Sequence, residues 1–180
     1  MIETERLILR AQRDDDLDWF VENMNTPAVM RHLGGVRPRA AVAAGMARNA
    51  AGFAATGFGF WTIVLRETGE RAGKCGLGRI DSEHAAPALC GQLEIGWSLA
   101  EPHWSQGYAG EAARAVLRHG FETLAAGEIY SQTSDSNRAS TRMMARLGFE
   151  RAAALDYVDP VYPPGDNPTA VYRLLRPRPA

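Results

Sequence analysis

Short strand and helix signals alternate along this 180-residue chain and predict a mixed α+β domain built in layers. Apolar residues recur at period two in several short runs, as strands covered on at least one face require. Between them lie stretches of helical period that open on small or capping residues and close near glycine. Neither a repeat nor a linker interrupts the order, so residues 1–180 read as a single domain.

Leu7 and Leu9 alternate with Arg6, Ile8 and Arg10, a half-buried strand over residues 5–10. Asp14-Asp15-Asp16 offers N-cap chemistry before Leu17, Trp19, Phe20 and Met24, so a first helix runs to about Asn25. The Ala-rich residues 39–56 form a second helix despite Gly45 and Gly52. Residues 58–65 and 73–80 are apolar runs joined by Arg66-Glu67-Thr68-Gly69-Glu70, a hairpin with glycine in its loop. After a loop over 81–90, Leu93, Ile95, Trp97 and Leu99 share one strand face while Glu94, Gly96 and Ser98 share the other.

From Gly107 to Leu124 an apolar face (Ala109, Ala113, Val116, Leu117, Gly120) opposes Glu111, Arg114, Arg118 and Glu122, an amphipathic helix. Residues 129–133 are a short strand, and Asn137 caps a helix that buries Ala139, Met143 and Leu147 and stops at Gly148. Strands over 149–153 and 169–175 complete the order, separated by a Pro-rich loop in which Tyr157, Val161 and Tyr162 are exposed and suit a partner surface such as a homodimer contact.

Composition excludes several classes of function. Hydrophobic residues make up 46% and charged residues 23%, as in globular domains and unlike disordered chains. The net charge of −1 is spread evenly, so neither nucleic acid nor a membrane surface finds a basic patch. The segment MIETERLILR lacks the apolar core of a signal peptide or spanning helix. Cys75 and Cys90 make no disulfide framework, and a cytoplasmic location is expected. The cysteines and four histidines fall into no metal-ligand spacing, so no metal is expected.

The stretch QLEIGWSLAEPHWSQGYAGEA, residues 92–112, carries the chemistry. A strand and a turn lead into Gly107-Tyr108-Ala109-Gly110 at the start of a helix, where free N–H groups without bulky cover suit a pyrophosphate. A tightly packed helix start accounts for the same residues. There is no G-x-x-x-x-G-K-[ST], nor an early G-x-G-x-x-G with a following acid, so triphosphate and dinucleotide loops are excluded.

Read together, Thr4-Glu5-Arg6-Leu7-Ile8-Leu9-Arg10, Glu94-Ile95-Gly96-Trp97, Gln106-Gly107-Tyr108-Ala109-Gly110-Glu111-Ala112, Asn137-Arg138-Ala139-Ser140 and Leu147-Gly148-Phe149 resemble the GNAT (general N-acetyltransferase) superfamily. More narrowly they are similar to the branch containing the ribosomal-protein N-terminal acetyltransferases RimJ and RimL. The resemblance implies a central mixed, mostly antiparallel sheet of about seven strands, with helices on both faces and a V-shaped opening between two central strands. It implies acetyl-CoA as acyl donor, its pantetheine arm paired with backbone groups at Trp97, Ser98 and Leu99. Amides from Gln106, Gly107, Tyr108, Ala109 and Gly110 would hold the pyrophosphate, with Asn137 touching the arm. Two positions depart from the family pattern: Trp104 stands where Gln or Arg opens the broad signature, and Met144 where many members carry a proton-donating Tyr.

Acetyl transfer to an amine needs a neutral nucleophile, a polarised carbonyl and a proton for the leaving thiolate. An α-amine is already roughly 10–20% neutral at pH 7, so a weak base suffices. Glu94 alternates away from the Leu93/Ile95/Trp97 face and is the candidate base; its bland reading is a glutamate on a solvated strand face. Ser140, three residues after Asn137, is the candidate proton donor in place of Met144, and otherwise a small packing residue. Cys75 has no neighbouring His to make it a nucleophile. Arg138, Arg142 and Arg146 form a helical stripe that reads as a solvated face, one of them within reach of a 3′-phosphate.

Asp14, Asp15, Asp16 and Asp18, with Asp156, Asp159 and Asp166, fall where the family places the acceptor and would favour a cationic amine. The expected function is transfer of acetyl from acetyl-CoA to a primary amine, a protein N-terminus or a small molecule, by direct attack in a ternary complex. The alternative is a non-catalytic acyl-CoA-binding regulatory module.

Overall fold

A computed structural model describes residues 1–177 and divides the chain into two compact units. One comprises Met1–Leu77 and Gly96–Val116; the other comprises Gly78–Ile95 and the chain from Leu117 onward.

The strands are β1 (Ile2–Glu3), β2 (Leu7–Ala11), β3 (Phe60–Leu65), β4 (Arg71–Arg79), β5 (Leu93–Leu99), β6 (Glu128–Ser134), β7 (Glu150–Arg151) and β8 (Thr169–Leu175). The helices are α1 (Asp16–Trp19), α2 (Arg39–Thr56), α3 (Tyr108–Glu122) and α4 (Arg138–Arg146). The strands join in one open sheet in the order β1-β2-β3-β4-β5-β6-β8-β7, with β5 and β6 parallel and β1–β2, β2–β3, β3–β4, β6–β8 and β7–β8 antiparallel. The sheet has eight strands, in keeping with the expected count of about seven, the additional one being β1. Ile2 and Glu3 fold back to pair with Leu9 and Ile8, held by the Thr4 N–H donating to the Leu7 carbonyl at 2.9 Å.

In the first unit Leu7, Leu9 and Ile63 are wholly buried, as their alternation requires. Phe20, Met24, Val29 and Ala100 form a second cluster, with Val42 and Met46 of α2 packed on it. The first helix departs from expectation. Asp15 makes no side-chain cap, and α1 widens after one turn into a π-helical turn over Phe20–Met24. Asp16, another candidate cap, is tied elsewhere: its fully buried carboxylate takes Arg10 at 2.6 Å, Arg71 at 2.6 Å, the Thr62 hydroxyl at 3.0 Å and the Arg13 N–H at 2.9 Å. Tertiary ion pairing has taken over the residue that reads as a cap.

In the second unit β6 and β8 pair over seven residues, Glu128↔Leu175 to Ser134↔Thr169. Ile80, Leu89, Tyr130 and Val171 centre its core, against which Tyr157 packs. α4 begins where expected, with the Asn137 side chain accepting from the Ser140 N–H at 3.2 Å. Its buried face differs from the expected one: Ala139 is exposed, Met143 and Leu147 are half-buried, and Met144 is the fully packed residue at 1% exposed. The predicted strand at 149–153 pairs only at Glu150 and Arg151.

Candidate active site

In the first unit β5 ends at Leu99 and the chain bends through Ser105 (φ +61°) and Gly107 (φ +83°) before α3 starts at Tyr108. The left-handed conformation at 107 suits glycine, and it turns the first amides of α3 outward without an intrahelical partner. A Cβ added at Gly107 would lie 3.4 Å from the Arg6 guanidinium, and one at Gly110 3.5 Å from that of Arg114. Two guanidinium groups and the positive end of a helix dipole thus converge on one small-residue turn. A diphosphate fits this donor set.

The turn is braced by side chains. Trp104 donates its indole N–H to the Leu99 carbonyl at 2.8 Å, and Gln106 donates Nε2 to the Pro102 carbonyl at 2.8 Å. Trp104 therefore fixes the turn where the family pattern has a polar contact. Glu111 anchors the whole assembly to the N-terminal segment. It accepts the Thr4 hydroxyl at 2.6 Å, the Arg6 N–H at 2.9 Å and the Arg6 guanidinium at 2.7 Å. Burial pushes the Glu111 carboxyl up, but these donors together hold it below its ordinary value. Arg6 also donates to the Gln106 carbonyl at 3.1 Å and stacks over Tyr108. This clasp explains the Thr4-Glu5-Arg6 motif, and neither Arg6, Glu111 nor Arg114 was among the expected site residues.

The same unit contains a cavity of about 170 Å³. Met24, Met30, Leu33, Met46 and Phe60 give it an apolar body, and Gln12, Arg37, Lys74 and Ser98 give it polar walls. None of its lining side chains is a carboxylate. Lys74 stands over the Phe60 ring at 5.6 Å, and Phe60 in turn packs on Gly96, where a Cβ would come within 3.1 Å of the ring. Ser98, expected on the acyl arm, borders this cavity; Trp97 is half-buried beside it in β5.

In the second unit Glu94 is half-buried rather than on a solvated face. Gln132 donates Nε2 to its carboxylate at 2.7 Å, and Tyr157 donates its hydroxyl to Gln132 Oε1 at 2.8 Å. Burial raises the Glu94 carboxyl above its ordinary value, opposed in part by the Gln132 hydrogen bond. Burial likewise raises the Tyr157 phenol, which stays a donor. Tyr157 is thus not the exposed surface residue expected; Val161 is exposed and Tyr162 is half-buried. Ser140 is half-buried on α4, and Asn137 already spends its Oδ1 on the cap, leaving its amide N–H groups for a ligand. A larger void of about 460 Å³ at Arg79, Gln92, Leu93 and Glu128 holds none of these residues.

Apart from Asp14, which is exposed, the acidic residues are otherwise engaged. Asp15 pairs with Arg71, Asp18 with Arg39, Asp156 with Arg151, and Asp166 accepts from Ser134 and Ser136. Asp159 accepts the Val161 N–H at 3.0 Å. With Asp16 in its own ion-pair cluster, these carboxylates build structure. They do not line the cavity as a cationic acceptor would need. Among the described residues no group of three His, Cys, Asp or Glu is placed to hold a metal, and no helix is long and apolar enough to cross a membrane.

The open mixed sheet, with a small-residue turn leading into α3, is the arrangement of an acetyltransferase domain. Residues 6–150 match the acetyltransferase (GNAT) domain, and the chain belongs to that family. It is 31% identical over 146 residues to the uncharacterised protein YkkB of Bacillus subtilis, covering 81% of this chain and 82% of the relative. It is 30% identical over 158 residues to the uncharacterised N-acetyltransferase p20 of Bacillus licheniformis, covering 86% and 85%. Among solved structures, an acetyltransferase from Agrobacterium tumefaciens is similar, with a TM-score of 0.77 at 31% identity, covering 96% of this chain and 92% of that one.

Proposed function

We propose that the chain transfers an acetyl group from acetyl-CoA to a primary amine by direct attack in a ternary complex. The observation that carries this reading is the turn at Gly107–Gly110, where helix amides and the guanidinium groups of Arg6 and Arg114 converge. Acetyl-CoA supplies an activated acyl carbon and leaves as a thiolate that needs a proton. The residues of this chain do the rest. Amides from Gln106 to Gly110 hold the pyrophosphate, and main-chain groups at Trp97, Ser98 and Leu99 with the Asn137 amide orient the acyl arm. One Leu99 lone pair is already used by Trp104.

Glu94 takes the proton of the attacking amine, directly or through water. Burial raises its affinity for a proton above that of an ordinary carboxylate, which suits a group that must take one. Ser140 gives a proton to the departing sulfur. The Cys75 thiol is fully buried and pushed far up by burial, which removes it as an acylated nucleophile. The family match supports acetyl transfer; a peptide N-terminus, as in the RimJ/RimL branch, and a small amine both remain within the proposal.

Calorimetry with acetyl-CoA and thiol release with a panel of amines test it. Micromolar binding together with turnover is expected, and Glu94→Gln should lower kcat by about 10²-fold or more with coenzyme binding intact. Binding without turnover on any amine would instead establish the regulatory module, and absence of binding at millimolar acetyl-CoA would end the assignment.

A further inference from the structure

The cavity of the first unit has a charge character that nothing in the family assignment specifies. Lys74 lies in β4 opposite Thr62, half-buried, with its ammonium over the Phe60 ring. Burial, and then the positive charge of Arg37, hold its ammonium below the usual lysine range. Arg37 is exposed and gives one guanidinium N–H to the Leu33 carbonyl at 3.0 Å, and no carboxylate among the described residues is paired with it. Gln12 has its carbonyl end taken by Asn49 at 2.9 Å, so the end left for a ligand is its NH₂. Asn25 and Asn49, the other amides of the lining, are spent on the Arg37 backbone and on Gln12 and the Phe60 backbone, so beside the Ser98 hydroxyl the polar groups left for a guest are the Gln12 NH₂ and the two cations.

We propose that this cavity anchors the carboxylate of the acceptor, so that the substrate is a small amine bearing a carboxylate and an apolar body. The proposal rests on the acetyltransferase reading for the word acceptor, and on the cavity alone for the carboxylate. Two cations without a counter-ion repel each other, and an entering anion relieves that repulsion at both. The methionines and Phe60 accept an unbranched apolar side chain. The same cations repel an acceptor with several positive charges, so polyamines and aminoglycosides are excluded from this cavity. About 170 Å³ admits a free amino acid or the first residue of a peptide, not a folded surface.

The test uses the full chain and product pairs, which need no turnover. Calorimetry compares N-acetyl-L-methionine with N-acetyl-L-methioninamide; the carboxylate is expected to bind at least about tenfold tighter. Lys74→Met should abolish that preference, and Arg37→Gln, at an exposed position, should reduce it. If Lys74→Met does not fold, Arg37→Gln and Lys74→Arg decide: the first weakens the preference and the second keeps it. N-acetyl-Asp-Ala-amide against N-acetyl-Asn-Ala-amide assigns the source, a free α-carboxylate or a peptide's first side chain. Equal affinity within every pair, tighter binding of the amide, no binding at millimolar concentration, or a preference unmoved by the variants would overturn the proposal. A carboxylate preference with no thiol release from L-methionine or any other amine would leave the anion site standing and overturn acetyl transfer.

Discussion

Gln132 donates its side-chain amide to the Glu94 carboxylate at 2.7 Å, and the Tyr157 hydroxyl settles which end of that amide faces the acid. An amide has a donor end and an acceptor end; with Oε1 claimed by Tyr157, the NH₂ end is committed to Glu94. The carboxylate is thereby held in one place while burial raises its affinity for a proton.

This predicts an acid limb in kcat/KM lying above the ordinary carboxylate range. Activity rises with pH as Glu94 ionises. Removing the Gln132 donor with Gln132→Leu should move the limb further up, since the hydrogen bond favours the charged form. Stability has the opposite sign. A raised folded pKa contributes stability in full below the unfolded value of 4.5, and that contribution is lost as pH climbs through the folded value. Rate profiles and urea titrations across pH 4–8 check both; a limb unmoved in Gln132→Leu would contradict the coupling.

Glu111 and Thr4 hold the turn that we assign to phosphate. Glu111→Ala strands three donors and should cost about 1–3 kcal/mol of stability. It should also weaken coenzyme A binding, because Arg6 loses the partner that positions it. Thr4→Val removes one hydroxyl and should cost about 0.5–1.5 kcal/mol with a smaller loss of affinity. Denaturant midpoints and calorimetry separate the two effects.

Asp16 is the most exacting polar site. Burial pushes its carboxyl up, yet Arg10, the Arg13 N–H, Arg71 and Thr62 together hold it far below the usual carboxylate range. Its stabilisation is present above the unfolded value of 3.8 and is lost as pH falls through the folded value. Asp16→Asn leaves Arg10 and Arg71 short of a counter-charge and should cost about 3–5 kcal/mol. Thermal unfolding at neutral pH should show the loss, and the variant should be less sensitive to acid than the parent.

Met144 occupies the position at which the family resemblance leads one to expect a tyrosine. It is 1% exposed, so a larger ring there meets a packed core and not a substrate. Met144→Tyr should destabilise by about 1–3 kcal/mol and leave kcat no higher. Ser140→Ala should lower kcat instead, with stability almost unchanged. A gain in turnover from Met144→Tyr would move the proton donor away from Ser140.

Where a residue's structure follows from near neighbours, it was legible in the chain. Leu7 and Leu9 alternate into the core, residues 39–56 and 169–175 form the helix and strand that their patterns predict, and Asn137 caps α4. The amide turn at Gly107 follows from small residues at a helix start. Long-range pairing was not legible. Glu111 meets Arg6 across 105 positions, and Gln132 meets Glu94 across 38. Asp16 shows the same limit: locally it reads as a cap, and only Arg10, Thr62 and Arg71 make it a buried anion. Lys74 hides in an apolar run, since one charged residue in a strand says nothing about which cavity it meets.

Gly96 bears on how selectivity could drift among related chains. The Phe60 ring leans on its bare backbone, so one methyl group at position 96 would act as a wedge from behind the chamber wall. The displaced ring has the Lys74 ammonium over its face. A change outside the lining could therefore retune which guest is welcomed, leaving every residue that touches the guest as it was.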